Sequence, residues 1–205
     1  MRLHSYVVAR DYGFAPNPFF GICTLATCKP NIRSVAAIGD WVMGTGSKLW
    51  NREHHVVYAM RVTESMTFEQ YWSDIRFQQK RPNLRGSKKQ AFGDNIYSRD
   101  GADRQWCQVN SHHSLTDGSP NPRNITADTA ANRVLLSNDF VYWGGKGPKI
   151  PKRFLNYGPY HENVCAGRGH KNRFSQQLVD EVIAWVRSFH EIGFCGEPLD
   201  WRRTP

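Results

Sequence analysis

Two adjacent histidines, His112 and His113 in "NSHHS", form the densest polar cluster of this 205-residue chain. An imidazole titrates near neutral pH, so either one could take a proton from a substrate, return it, or donate to a phosphate. On alternating backbone only one of the two faces inward, and the pair also reads as two surface or capping histidines. In "YWSDIRF", Asp74 could orient such a base, and the planar fork of Arg76 suits a phosphate or a nucleobase edge. The two stand two residues apart and could equally pair with each other. Asp94 in "GDN" is read first as an Asx turn, and as a sugar-hydroxyl or cation ligand only if a second carboxylate lies nearby.

Anion chemistry points elsewhere. "GRGHKNRF" places Arg168, His170, Lys171 and Arg173 just before the last predicted helix, where backbone N–H groups and the dipole favour phosphate. "GDWVMGTGSK" looks at first like a phosphate loop, but no helix follows it, so its glycines are assigned to turns around a strand. Tryptophans interleave with the basic segments, and one or two of them are expected to face a ligand. No triad-like serine motif, HExxH, dinucleotide fingerprint or metal-ligand spacing occurs, so neither a cofactor nor a metal is predicted.

The elements that must position these residues follow from local pattern. Residues 3–9 alternate as a strand. "GDWVMG" and "HHVVYAMRVTE" read as two more strands joined as a hairpin through "TGSKLWNRE". Thr67 and Gln70 fit a capping box that opens a short helix near 67–75. Residues 81–104 read as a long polar surface loop, and "NRVLLSNDFVYWG" as one strong strand. Ser175 caps an amphipathic helix near 175–192 with Leu178, Val182, Trp185, Val186 and Phe189 on one stripe, stopped by Gly193. Strands scattered among few helices argue for an α+β chain, one domain with a curled mixed sheet or a barrel.

The excess of Lys and Arg gives a formal charge of +9, which favours polyanionic partners. Five cysteines are an odd number without zinc-type spacing and are expected to be buried thiols in a reducing compartment. No long apolar run or secretory leader is visible, so a cytoplasmic location without membrane contact is expected.

Several segments in fixed order, among them "YVVARDYGFAPNPFFGICTLATCKPNIR", "YWSDIRFQQKRP", "GDNIY", "SHHS" and "GRGHKNRF", resemble the bacterial and phage family called nucleotide modification associated domain two. The resemblance implies a role beside DNA base hypermodification or phage defence. Its motifs would cover Asn17, Arg33, Asp40, Asp74, Arg76, Asp94, Asn95, His112, His113 and Arg168. A second resemblance, of fold alone, is to PUA-like barrels of the EVE and ASCH kind, which hold a single base in an aromatic cleft.

Three functions are open from sequence. The first is binding of a nucleotide or a flipped, modified DNA base, with Trp41 or Trp72 stacking, Arg33 and Arg76 on phosphate or base edge, and Asp40 or Asn95 reading hydrogen bonds. It predicts that Trp41 or Trp72, Arg76 and Asp94 converge in one pocket. The second is an enzyme on a modified nucleotide, with His112 or His113 as acid/base, Asp74 or Asp94 as orienter, and Arg168 and His170 neutralising phosphate. The third is an interaction subunit of a DNA-modification or defence assembly.

Overall fold

The computed structural model describes residues 1–99, 105–167 and 169–202. In chain order the strands are β1 (Leu3–Val7), β2 (Cys23–Leu25), β3 (Trp41–Thr45), β4 (Val56–Arg61), β5 (Glu64–Met66), β6 (Tyr97–Arg99), β7 (Trp106–Gln108), β8 (Val134–Ser137), β9 (Asp139–Tyr142), β10 (His170–Lys171) and β11 (Gly193–Phe194). The α-helices are α1 (Pro30–Val35), α2 (Phe68–Ser73), α3 (Lys88–Ala91), α4 (Pro122–Thr129) and α5 (Gln176–Arg187). The α+β expectation holds. The chain groups into two compact units, one of residues 1–11, 36–63 and 138–205, the other of residues 12–35 and 64–137.

The first unit carries a six-stranded mixed sheet in the order β10-β1-β3-β4-β9-β11. β1 runs parallel to β3 and β9 to β11, while β3–β4 is the expected antiparallel hairpin pair. Every residue of β3 is buried, which suits a central strand covered on both faces. Two glycines of "GDWVMGTGSK" show why they are glycines. Gly39 turns with φ +94°, and a Cβ on Gly44 would sit 2.4 Å from the Tyr58 ring. No sheet among the described residues closes on itself, so the barrel alternative and its PUA-like analogy find no support.

Helix α5 buries Leu178, Val179, Val182 and Val186 in a core with Leu3, Trp41, Met43, Ala59, Val141 and Trp143. Each such side chain contributes about 1.5–3 kcal/mol on leaving water. The helix ends at Arg187, short of the expected 192. Phe189 therefore lies outside it and is exposed, and His190 takes a left-handed turn with φ 54°.

The second unit holds the antiparallel sheet β2-β8-β5 and the hairpin β6–β7. Its core is aromatic, with Phe14, Phe68, Tyr71, Phe77 and Tyr97 buried together beside Val134 and Leu136. Thr67 and Gln70 form the predicted capping box. Two expectations are corrected here. "NRVLLSNDFVYWG" is not one strand, because it breaks after Ser137 and supplies β8 to one sheet and β9 to another. The stretch from 81 is not a plain surface loop either, since it folds α3 and β6 and buries Asp94 through Ser98. Residues 100–104 lie outside the described residues.

Candidate active site

β2 ends at Leu25 and α1 begins at Pro30, a residue whose fixed φ suits a first helical position. Between them Cys28 and Lys29 both take left-handed backbone, with φ 57° and 44°. Consecutive non-glycine residues in that region are costly, at about 1–3 kcal/mol each, and persist only where the surroundings hold them. The half-buried Cys28 thus sits on a sharp strand-to-helix turn.

What holds the turn is a buried carboxylate and a buried guanidinium. Asp128, in the last turn of α4, accepts from the Cys28 backbone N–H at 2.6 Å. Arg33, on α1 and fully buried, donates from Nε to the Cys28 carbonyl at 2.8 Å. Its Nη1 donates to the carbonyls of Ala131 and Arg133 at 2.6 Å each, and its Nη2 to the carbonyl of Asp128. The guanidinium also lies 5.3 Å over the Phe68 ring. Burial lowers Arg33 to about 10, so it stays cationic at neutral pH between the Cys28 turn and the end of α4.

His113 completes the arrangement. Its Nδ1 lies 2.8 Å from Asp128 Oδ2 and its Nε2 lies 3.6 Å from Cys28 Sγ. Tyr97 donates its hydroxyl to the same Asp128 oxygen at 2.8 Å and accepts from Gln108 Nε2 at 3.1 Å. Gln108 Oε1 in turn receives the Asn121 N–H, and Asn121 caps α4. Asn124 Nδ2 donates to the His113 carbonyl at 2.7 Å, fixing the loop that carries the imidazole. Burial works against the imidazolium, but the bonds to Asp128 and Cys28 outweigh it and raise His113 to about 9.

A thiol, an imidazole and a carboxylate in series are the parts of nucleophilic catalysis: nucleophile, base, orienter. The same three donor atoms lie within 4.8 Å of one another, close enough for a single cation. His113, however, turns its two ring nitrogens to two different neighbours, Cys28 and Asp128. A cation shared by all three would have to break that geometry, whereas a proton relay uses it as built.

Of the predicted residues, His113 belongs to this cluster directly and Arg33 frames it. Arg33 was expected on a phosphate or base edge; that is corrected, because four backbone carbonyls fill its fork. His112 is exposed and packs among rings instead, with centroids 4.4 Å from Tyr12 and 5.3 Å from both Phe14 and Phe92.

The convergence of Trp72, Arg76 and Asp94 is not found. Arg76 lies at the surface with its guanidinium filled by Asp74 and Glu64. Asp74 caps the following turn through the Arg76 N–H and is held below the usual carboxylate range by those bonds to Arg76. Trp72 is covered by Arg81, 3.8 Å above its ring. Asp94 and Asn17 are fully buried in a separate network, and Asn95 Nδ2 ties the carbonyls of Tyr71 and Phe77.

In the first unit, Asp40 accepts the Arg2 and Ala37 N–H groups and meets buried His4 at 3.4 Å, so it pins the turn before β3. Trp41 is only 3% exposed, leaving little ring for a base to stack on. The anion site expected before α5 is also corrected, since Glu162 already accepts from the N–H and hydroxyl of the cap Ser175. His170 and Lys171 form the edge strand β10, Arg173 is exposed, and Arg168 lies outside the described residues.

Sequence reading missed Cys28, Asp128 and Tyr97. The available signal was a cysteine at a strand end, two residues before a helix-starting proline.

No curated protein and no solved structure matches this chain. The family model of nucleotide modification associated domain 2 matches residues 1–205. From end to end, then, the chain that builds this thiol–imidazole–carboxylate cluster belongs to the nucleotide modification associated domain 2 family.

Proposed function

We propose that this protein is an enzyme that attacks an electrophilic carbon of a modified nucleotide or base with the thiol of Cys28. The observation that carries the reading is the series Cys28 Sγ, His113, Asp128, joined through opposite nitrogens of one imidazole. The approach of His113 Nε2 to Sγ at 3.6 Å lets the imidazole take the thiol proton as the sulfur attacks. The thiolate adds to a carbonyl or amide carbon, and the imidazolium gives its proton to the leaving amine or alcohol. Water or a second nucleophile then releases the covalent intermediate, with His113 acting as base. Asp128 holds the ring through Nδ1, and Tyr97 and Arg33 hold Asp128. The exposed ring of His112 beside Tyr12 and Phe92 offers a planar surface to a base.

Family membership supports a nucleotide as the substrate class, and the formal charge of +9 favours binding to a polyanion such as DNA. The test is incubation with nucleotides and DNA bearing acyl- or amide-linked base modifications, followed by mass analysis of protein and nucleotide. The expected result is an altered nucleotide and a transient adduct on Cys28, both absent in Cys28→Ser. Base-selective binding without any covalent or mass change, equal in both proteins across a salt series, overturns the enzyme reading in favour of a base-binding module.

No helix among the described residues is long and apolar enough to cross a membrane.

A further inference from the structure

A second polar cluster in the same unit is sealed from solvent and plays no part in the proposed chemistry. Lys80 is 1% exposed and aims its Nζ at Asn17, donating to Oδ1 at 2.7 Å and to the backbone carbonyl at 3.0 Å. Nζ also donates to Thr24 Oγ1 at 3.2 Å, and that hydroxyl donates to Asp94 Oδ2 at 2.6 Å. The other Asp94 oxygen receives the Tyr71 hydroxyl at 2.7 Å. Asn17, Thr24, Tyr71 and Asp94 are all fully buried.

This is an amine, an amide and a carboxyl gathered in one buried cluster. Burial lowers Lys80 to about 8 and pushes Asp94 up, so it works against the charged form of each and eases transfer of a proton from one to the other. The Asn17 amide is polarised by two donors on Oδ1, Lys80 Nζ and the Phe19 N–H at 3.3 Å. Its carbon is one bond from the oxygen that Nζ already touches, which is the proximity an intramolecular addition needs.

We propose that Lys80 and Asn17 join in an intramolecular isopeptide bond. The lone pair of Nζ adds to Asn17 Cγ; the Nζ–Cγ bond forms, the Cγ–Nδ2 bond breaks, and ammonia leaves. The lone pair is freed when one of the three Nζ protons passes through the Thr24 hydroxyl to the Asp94 carboxylate; a second moves from Nζ across the tetrahedral carbon to Nδ2, which donates to the Phe92 carbonyl at 2.9 Å, and the released ammonia takes up the proton held by Asp94, so Asp94 ends as it began. No oxidant, metal or cofactor enters, and no group outside the unit takes part. The product is a covalent tie closing the chain between residues 17 and 80.

The test is the intact mass of the purified full-length chain, with proteolytic mapping. The expected mass is lower than that of the sequence by one ammonia in nearly every molecule, with a branched peptide joining residues 17 and 80 and no tryptic cleavage after Lys80. Asp94→Asn is expected to leave the full mass, as is Lys80→Arg. The wild-type measurement needs no variant to fold. An intact chain at its full sequence mass overturns the proposal and leaves a hydrogen-bonded ammonium in place. So does an ammonia loss that maps to any other residue.

Discussion

The two polar clusters of the second unit are built from nearly the same parts. Each has a buried aspartate receiving a tyrosine hydroxyl, Asp128 from Tyr97 and Asp94 from Tyr71. Each adds a basic nitrogen, His113 or Lys80, and each has a cysteine nearby, Cys28 or Cys23. What differs is access and pairing. Cys28 is half-buried and touches an imidazole, while Cys23 is fully buried and burial drives its thiol far up, out of reach of ionisation. His113 gains from its partners and rises, whereas Lys80 loses to burial and falls. Similar groups are therefore shifted in opposite directions according to their partners and their access to solvent.

The contrast breaks most readily at the cysteines. Cys28→Ser is expected to reduce turnover of a modified nucleotide by about a thousandfold or more, with little change in melting temperature. Cys23→Ser should do the reverse, leaving turnover near wild type. Equal losses in the two variants would erase the distinction between open and sealed clusters.

Next in size is Arg33→Met, which strips the hydrogen bonds from the carbonyls of Cys28, Asp128, Ala131 and Arg133. A destabilisation of about 3–5 kcal/mol is expected in urea melts, with partial recovery in Arg33→Lys. A loss below about 1 kcal/mol would show that the brace is dispensable.

His113 sets a pH signature. Its folded value is raised from 6.5 to about 9, so the stability it supplies is complete below about pH 6.5 and fades as pH climbs through 9. Each tenfold difference in proton affinity between folded and unfolded chain is worth about 1.4 kcal/mol. Relative to His113→Gln, the wild type should therefore lose stability on the order of 3 kcal/mol across that window, read from urea melts at successive pH values. Parallel curves for the two proteins would mean that the imidazole is not held as a cation.

The smallest effect is expected at Arg76→Ala. The residue is 44% exposed on its side chain, so losing its bonds to Asp74 and Glu64 should cost under about 1 kcal/mol and leave turnover unchanged. A strong loss of nucleotide binding instead would return Arg76 to the ligand-reading role expected from its type.

The parts of this molecule written in local code were legible in its sequence. The Thr67–Gln70 box, the β3–β4 hairpin and α5 each depend on residues a few positions apart. The thiol–imidazole–carboxylate cluster does not, because His113 and Asp128 stand 85 and 100 residues from Cys28 and meet it only through the fold. Arg33 shows a second limit. Its type suggests phosphate, and only burial reveals that backbone carbonyls are its ligands. The same holds for the break after Ser137, since an apolar-rich run looks alike whether it feeds one sheet or two.

The sequence distance between thiol and base also orders events in time. At about 5–20 residues per second of synthesis, Cys28 precedes Asp128 by roughly 5–20 s. Throughout that interval the nascent thiol has no oriented imidazole and behaves as any other cysteine. A chain stalled before α4 is complete lacks Asp128, so the cluster assembles only once the unit that contains it can close.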